Sequence, residues 1–454
     1  MPVTEYWCEY AWLPGGVAEG VRIAVSGGII TAVDRGGPPR GTVLAGLTVP
    51  GMANVHSHAF HRALRGRTHG ERGTFWTWRA TMYHLADRLD PDTYHRLARA
   101  AYAEMALAGY TSVGEFHYLH HGPGGTRYSD PNAMSAALVA AAQEAGIRIC
   151  LLDTCYLTGR PGRQLEGVQL RFGDGDAQSW AERVDAFRPE GPDVRVGAAA
   201  HSVRAVPPEA LSTVAEWSRR ARPVAGGRPE PTAPLHVHLS EQRGENEECL
   251  RVHGQTPTEL LHRTGFLGVN TVAVHATHLT ENDMSTLGSA RVRACFCPMT
   301  ERDLGDGIGP ARRLADAGVR LCLGSDSHAV VDAFAELGAL ELNERLAAEA
   351  RGRFTVDELL TAATDHAALG FPDVGGLEPG AQADLVTVNL ESVRTAGAAP
   401  GGVPLVASAA DITDVHVAGR PIVRDGVHTR IERPAAELAA EIRRLVGGVS
   451  GRLM

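Results

Sequence analysis

The sequence predicts a (β/α)₈ TIM-type barrel flanked by a small β-sandwich-like domain that is formed from both termini. Two observations lead to this prediction. Apolar, β-branched runs alternate with helix-like segments through the middle of the chain, which is the pattern of a parallel sheet. Short β-like runs separated by turns occupy both ends instead. Eight strand-like runs suggest that the central sheet closes into a barrel, whose active site lies at the carboxyl ends of its strands.

The elements divide the chain into three regions. Residues 1–50 and 376–432 are assigned to the small β domain, residues 51–375 to the barrel, and residues 433–454 to a C-terminal helix and tail. The predicted barrel strands lie near residues 47–55, 110–116, 147–152, 194–200, 234–239, 271–275, 292–297 and 319–324.

Helical spacing marks several segments between these strands, and glycine and proline mark two loops. The helices are predicted near residues 92–108, 132–145, 208–221 and 308–317, with Asp92 and Asn132 as candidate caps. The Gly/Pro-rich segments 159–176 and 222–234 are expected to be surface loops.

The composition excludes several classes of protein. The chain has 454 residues, a net charge of -9 and no basic run, which argues against a nucleic-acid or anionic-membrane partner. No segment is long and apolar enough to span a bilayer, and the first ten residues, with Glu5 and Glu9, lack the order of a signal peptide. Seven scattered cysteines do not resemble a disulfide framework, so a cytoplasmic protein is expected. The chain contains no lysine, and a binuclear metal site bridged by a carbamylated lysine is therefore impossible.

Four strand-like runs end in side chains that can form a metal site. His56 and His58 end the first run, and alternate residues of a strand share a face, so both can reach one ion. A His-x-His pair alone is also typical of hydrogen-bonded core residues, but His238 and Asp326 stand at two later strand ends. Zinc uses such a set of three imidazoles and one carboxylate. We therefore expect one Zn²⁺ ion per chain, which would lower the pKa of a bound water to about 7.

Two further groups lie beside this set. Glu241 follows His238 by three residues and is a candidate proton shuttle; the alternative is a solvated loop carboxylate. His275 and His278 compete for one catalytic role, and a strand over residues 271–274 places His275 at its tip. Asp326 can both hold the metal and accept a hydrogen bond from the bound water, so Glu241, His275 and Asp326 are the catalytic candidates.

These motifs resemble the amidohydrolase superfamily, in its mononuclear zinc deaminase branch. The matching segments are residues 50–58 (PGMANVHSH), 238–241 (HLSE), 275–279 (HATHL) and 324–326 (GSD). Within the branch the chain is most similar to the formimidoylglutamate deiminases of histidine degradation. That closer match is carried by residues 75–79 (FWTWR), 115–121 (EFHYLHH), 201–206 (HSVRAV) and 297–307 (CPMTERDLGDG).

The resemblance implies a substrate and the residues that bind it. It implies hydrolysis of N-formimidoyl-L-glutamate to N-formyl-L-glutamate and ammonia, with Arg79, Tyr118 and Arg204 at the glutamyl part. Enzymes of this kind are often homodimers. Arginine forks suit a substrate with two carboxylates, although in an arginine-rich chain Arg79 and Arg204 are also consistent with surface charges. Tyr118 is equally consistent with an ordinary aromatic side chain at the barrel rim.

One position departs from the family pattern. His61 stands where the family usually has glutamine, and both side chains can donate and accept hydrogen bonds. His61 is therefore a candidate substrate contact that can alter substrate preference. Two other interpretations remain open. The chain can be a deaminase of another amidine, guanidino or purine compound or, more remotely, a non-catalytic assembly protein with this fold.

Overall fold

The computed structural model describes residues 2–68, 75–220 and 232–447. Within these ranges the strands are, in chain order, β1 (Val3–Leu13), β2 (Gly16–Ser26), β3 (Ile29–Arg35), β4 (Thr42–Pro50), β5 (Met52–Ser57), β6 (Tyr110–His117), β7 (Arg148–Cys155), β8 (Val194–Ala200), β9 (Leu235–Leu239), β10 (Thr271–His275), β11 (Arg293–Phe296), β12 (Arg320–Leu323), β13 (Leu385–Val388), β14 (Ile412–Val417), β15 (Arg420–Arg424) and β16 (Val427–His428).

Helices connect the barrel strands and close the chain. The α-helices within the described ranges are α1 (Phe75–Ala86), α2 (Pro91–Leu107), α3 (Ala133–Ala145), α4 (Ala177–Ala186), α5 (Pro208–Arg219), α6 (Arg243–His253), α7 (Pro257–Arg263), α8 (Glu281–Ser289), α9 (Pro298–Leu304), α10 (Ala311–Asp316), α11 (Ala333–Ala348), α12 (Val356–Ala363) and α13 (Pro434–Val446). None of these helices is both long and apolar enough to cross a membrane.

The central sheet is a closed parallel barrel, which confirms the predicted fold class. Strands β5 to β12 pair in sequence order, and a parallel bridge between Ser57 and Asp326 joins the last strand to the first. The backbone of Asp326 donates to the carbonyl of His56 at 2.9 Å. Gly324 makes this closure possible, because a Cβ there would lie 2.8 Å from the backbone nitrogen and oxygen of His56.

The remaining strands form a second sheet from both ends of the chain. Its order is β16-β15-β14-β13-β4-β1-β2-β3, so the antiparallel pair β4 and β13 joins the N-terminal and C-terminal halves. Side chains such as Cys8, Ile23 and Leu385 give this sheet a hydrophobic core of its own. As predicted, the seven cysteines are free, and all are buried.

The predicted strand over 47–55 is two strands in different sheets. The chain changes sheets at Gly51, whose N–H donates to the carbonyl of Asp384 at 3.0 Å, whereas the next residue, Met52, donates to Gly109 in the barrel at 3.1 Å. Residues 47–50 and 52–55 are all buried, so the hydrophobic pattern is continuous and does not reveal the change of sheet.

One predicted helix cap is wrong, and the other holds the N-cap position without a capping hydrogen bond. Asp90, and not Asp92, caps α2, because its carboxylate accepts from the Thr93 N–H at 2.8 Å and Pro91 occupies the first helical position. Asn132 precedes α3, but its side-chain amide donates to the carbonyl of Arg183 at 3.0 Å and makes no cap hydrogen bond.

The predicted surface loop at 159–176 is partly buried. Arg171 is fully buried, with its Nε donating to the carbonyl of His121 at 2.8 Å, and Asp174 pairs with Arg183 in the interior. Because Arg171 is hydrogen-bonded to backbone carbonyls and Asp174 is paired with Arg183, a polar sequence here does not mean an exposed one. Residues 222–231 of the other predicted loop and 448–454 of the predicted tail lie outside the described residues.

Candidate active site

Three histidines and one aspartate meet at the carboxyl end of the barrel. The Nε2 atom of His56 lies 3.1 Å from Nε2 of His238 and 3.3 Å from Oδ1 of Asp326, and Nε2 of His58 lies 3.4 Å from the same Oδ1. A tetrahedral zinc ion with bonds of about 2.0–2.1 Å separates its ligand atoms by about 3.3–3.4 Å. These three separations are close to that spacing. Ligand atoms of His56, His58 and Asp326 lie within 4.8 Å of one another, and so do those of His56, His238 and His275.

The outer nitrogens of two of these rings are held by backbone carbonyls. Nδ1 of His58 lies 2.9 Å from the carbonyl of Phe116, and Nδ1 of His238 lies 2.9 Å from the carbonyl of His201. A carbonyl only accepts, so each Nδ1 carries the hydrogen and each Nε2 presents its lone pair. Burial lowers the pKa of both imidazoles and of His56, which favours the neutral form that binds a metal.

The strand ends that carry the site have strained backbone. Ser240, His275 and Asp326 have positive φ angles of 52°, 69° and 43°. Each such non-glycine residue costs about 1–2 kcal/mol, which the surrounding barrel must offset. Burial acts to raise the pKa of Asp326, but the hydrogen bond and charge of His56 hold it below its usual range.

Glu241 and His275 lie against this ligand set. Nε2 of His275 is 3.9 Å from Oε1 of Glu241 and 3.9 Å from Oδ2 of Asp326, and its Nδ1 is 3.4 Å from Oε1 of Glu301. Burial acts to lower the pKa of His275, but the three carboxylates together raise it to about 10. Burial raises the pKa of Glu241.

His278 lies away from these groups. Its Nε2 donates to the carbonyl of Asp306 at 2.9 Å, and its side chain does not line the cavity that leads to the cluster. The structure therefore brings His275, and not His278, into the cluster.

A partly open cavity leads to the cluster. Aromatic rings form much of the wall, namely those of Trp78, Tyr83, Tyr118, Tyr156 and Phe172.

All four predicted substrate contacts line this cavity. Nε2 of His61 is 3.1 Å from the Tyr118 hydroxyl, and burial lowers the pKa of His61 to about 3, so its ring is neutral. The guanidinium of Arg79 lies 5.6 Å from the centre of the Tyr83 ring. No carboxylate among the described residues lies within ion-pair distance of Arg204.

Comparison with known proteins identifies the family. The profile of the amidohydrolase family matches residues 47–422. The chain belongs to the amidohydrolase family. Formimidoylglutamate deiminase of Pseudomonas aeruginosa is 34% identical over 94% of this chain and 96% of its own length, and 8-oxoguanine deaminase of the same organism is 30% identical over 84% and 83%. An amidohydrolase structure from Brucella melitensis superposes with a TM-score of 0.87 at 31% identity over 98% of this chain and 100% of its own.

These relatives make the chain a hydrolase that acts on C–N bonds. The structure of an adenosine deaminase from Xanthomonas campestris, which has bound zinc, covers 98% of both chains at 23% identity with a TM-score of 0.81 and shows the same fold.

Several residues of this amidohydrolase site were not predicted individually. His201 follows β8 directly, so the rule that located the other strand-end residues also applies to it. Tyr156 directly follows β7 in the same way, and Glu301 lies in the segment 297–307 that carries the closer resemblance. Phe172 comes from a loop, and its position depends on the path that the chain takes above the barrel.

Proposed function

We propose that this amidohydrolase converts N-formimidoyl-L-glutamate to N-formyl-L-glutamate and ammonia, as a step in histidine degradation. The observation that carries the proposal is the Arg204 guanidinium, which lines the cavity with no ion pair or hydrogen bond to the side chains of the described residues. An unpaired charge in a partly buried site is costly, and an anionic ligand removes that cost.

The substrate's two carboxylates match the two arginines of the cavity. Arg79 and Arg204 both line it together with Glu241 and His275. Guanidinium groups bind carboxylates in bidentate fashion, which orients as well as attracts the ligand. The 34% identity to a formimidoylglutamate deiminase over nearly the whole of both chains also supports this substrate.

The residues around the cluster have the chemistry that hydrolysis of an amidine needs. His56, His58, His238 and Asp326 would hold one zinc ion, which supplies Lewis-acid chemistry and lowers the pKa of a bound water to about 7. In the proposed reaction water adds oxygen to the formimidoyl carbon, and the bond from that carbon to its terminal nitrogen breaks.

We assign the proton transfers to two side chains and the stabilisation of the tetrahedral centre to a third. Asp326 accepts the proton of the attacking water, with His275 3.9 Å away. Glu241 gives a proton to the departing nitrogen, which leaves as ammonia. His275 faces the same space and stabilises the tetrahedral centre.

A purine deaminase is the second candidate. The chain is 30% identical to an 8-oxoguanine deaminase, and the aromatic wall of the cavity would suit a planar base. Such a substrate would leave the Arg204 guanidinium without a carboxylate, which is why we favour the glutamyl compound.

A substrate panel separates the two candidates. The zinc-loaded enzyme is assayed for ammonia release from N-formimidoyl-L-glutamate, 8-oxoguanine and 5′-methylthioadenosine. We expect kcat/KM to be highest for N-formimidoyl-L-glutamate. Each carboxylate contact should raise it by more than about tenfold over the purines. A higher value for either purine would overturn the assignment.

A further inference from the structure

Glu301 is a buried carboxylate that contacts His275 from outside the cavity. It lies in the first turns of α9 and is 3% exposed. Its Oε1 accepts from the backbone N–H of Cys297 at 2.8 Å and lies 3.4 Å from Nδ1 of His275. The cavity wall does not include Glu301.

This contact determines which nitrogen of His275 faces the reacting groups. The backbone N–H of Cys297 fixes the position of Oε1, and an ionised carboxylate accepts but does not donate. Nδ1 of His275 therefore carries a hydrogen, and Nε2 is the atom that faces Glu241 and Asp326, at 3.9 Å from each. Nδ1 carries this hydrogen in both the neutral and the charged form of His275, so Nε2 faces the reacting groups in either form.

The backbone at His275 makes such a support necessary. His275 and Ala276 both have positive φ, 69° and 48°, so the chain turns sharply at the tip of β10. The regular geometry of the strand no longer sets the direction of the side chain there. A hydrogen bond from the far side of the ring restricts its rotation.

We infer that Glu301 is a positioning residue for the reaction, which fixes the tautomer and ring orientation of His275. This inference rests on the role proposed above for His275. The competing explanation is that Glu301 only supports the start of α9 through the Cys297 N–H.

Glu336 on α11 offers a matched control. It is also buried, and its carboxylate accepts from the Met299 N–H at 3.0 Å, in the same first turn of α9. Among the described contacts it has no hydrogen bond or ion pair to His275. Glu301→Gln and Glu336→Gln therefore both replace a buried carboxylate at the same helix start, but only the first changes the partner of His275.

The kinetic test compares these variants alone and with His275→Asn. Loss of an outer hydrogen-bond partner typically costs about 10–100-fold. We expect Glu301→Gln to lower kcat by that factor with little change in KM, and Glu336→Gln to change kcat by less than about threefold. In the His275→Asn background the effect of Glu301→Gln should nearly vanish. Equal losses for the two variants, or an undiminished loss beside His275→Asn, would refute the positioning role.

Two features keep this result separate from the substrate assignment. The kcat of each variant is compared with that of wild type on whichever of N-formimidoyl-L-glutamate and 8-oxoguanine the wild type hydrolyses. The ring can also be observed directly, in an NMR spectrum of protein with ¹⁵N-labelled histidine, where His275 is the signal lost in His275→Asn. We expect its Nδ1–H resonance to persist in Glu336→Gln and to shift or disappear in Glu301→Gln, and a resonance unchanged in both would contradict the inference.

Discussion

Replacing Arg204 with methionine tests how the enzyme recognises its substrate. Methionine keeps an unbranched side chain but removes the guanidinium that lines the cavity. A charge-assisted hydrogen bond contributes about 1.5–3 kcal/mol net, which corresponds to roughly 10–150-fold in kcat/KM. Arg204→Met should therefore lower kcat/KM for N-formimidoyl-L-glutamate by at least tenfold, while zinc stays bound.

The structure also predicts what the change does to stability. Arg204 has no ion pair among the described residues, so the variant loses no internal salt bridge. Burial acts to lower the pKa of Arg204, but the charges of Tyr156 and Glu245 raise it overall, so the fold does not disfavour the charged guanidinium. Because no direct ion pair is lost, Arg204→Met should melt close to the wild-type temperature without substrate. A large fall in melting temperature would indicate a structural role instead.

The assay compares two substrates that differ in one carboxylate. N-formimidoyl-L-norvaline has nearly the shape of the glutamate compound but lacks the side-chain carboxylate. Wild type should prefer the glutamate compound, and Arg204→Met should reduce that preference. Arg251→Met is a control, because Arg251 is largely exposed on an adjoining cavity and pairs with Glu248. If Arg204→Met lowers both substrates equally, Arg204 does not bind that carboxylate, and His61 becomes the first residue to examine.

Four other predictions follow from the same site. Glu241→Gln should lower turnover by roughly 10²–10⁴-fold with zinc content unchanged, and retention of most activity would exclude the proton-transfer role. His275→Asn should nearly abolish turnover while His278→Asn, whose ring hydrogen-bonds to the Asp306 carbonyl, costs much less; the reverse order would contradict the geometry. Elemental analysis should find one tightly held zinc ion per chain, and a second tightly held ion that turnover needs would contradict the mononuclear site. Burial, and then the charge of Glu241, raise the pKa of Asp306 to about 8 from 3.8. The stabilising contribution of Asp306 is therefore complete below pH 3.8 and is lost as the pH rises through 8. The melting temperature of Asp306→Asn minus that of wild type should grow from about pH 5 to about pH 8, and a constant difference would refute the shift.

The sequence could bring the side chains of this cluster together because they are tied to strand ends. His56, His238 and His275 belong to barrel strands, His58 directly follows β5, and Asp326 follows β12 by three residues. In a closed parallel barrel all the carboxyl ends meet at one face, so the strand pattern alone brings these side chains together.

The cavity wall could not be predicted in the same way. Phe172 lies in a segment that reads as a polar loop, because its neighbours Arg171 and Asp174 are charged. Only the structure shows that both are buried, with Arg171 hydrogen-bonded to backbone carbonyls and Asp174 paired with Arg183. Glu301 reads as an ordinary helix-start carboxylate, and its contact with His275 depends on the turn at the tip of β10. The change of sheet at Gly51 was not predicted for a related reason, because burial in either sheet gives the same hydrophobic pattern.

Product analysis of a single reaction tests the proposed function most directly. N-formimidoyl-L-glutamate with ¹³C in the formimidoyl group is incubated with zinc-loaded enzyme, followed by ¹³C NMR, and assayed for ammonia. We predict one N-formyl-L-glutamate and one ammonia for each substrate consumed. Formamide and free glutamate would show that the other C–N bond breaks, and an unchanged substrate beside rapid turnover of 8-oxoguanine would contradict the assignment of the glutamyl compound.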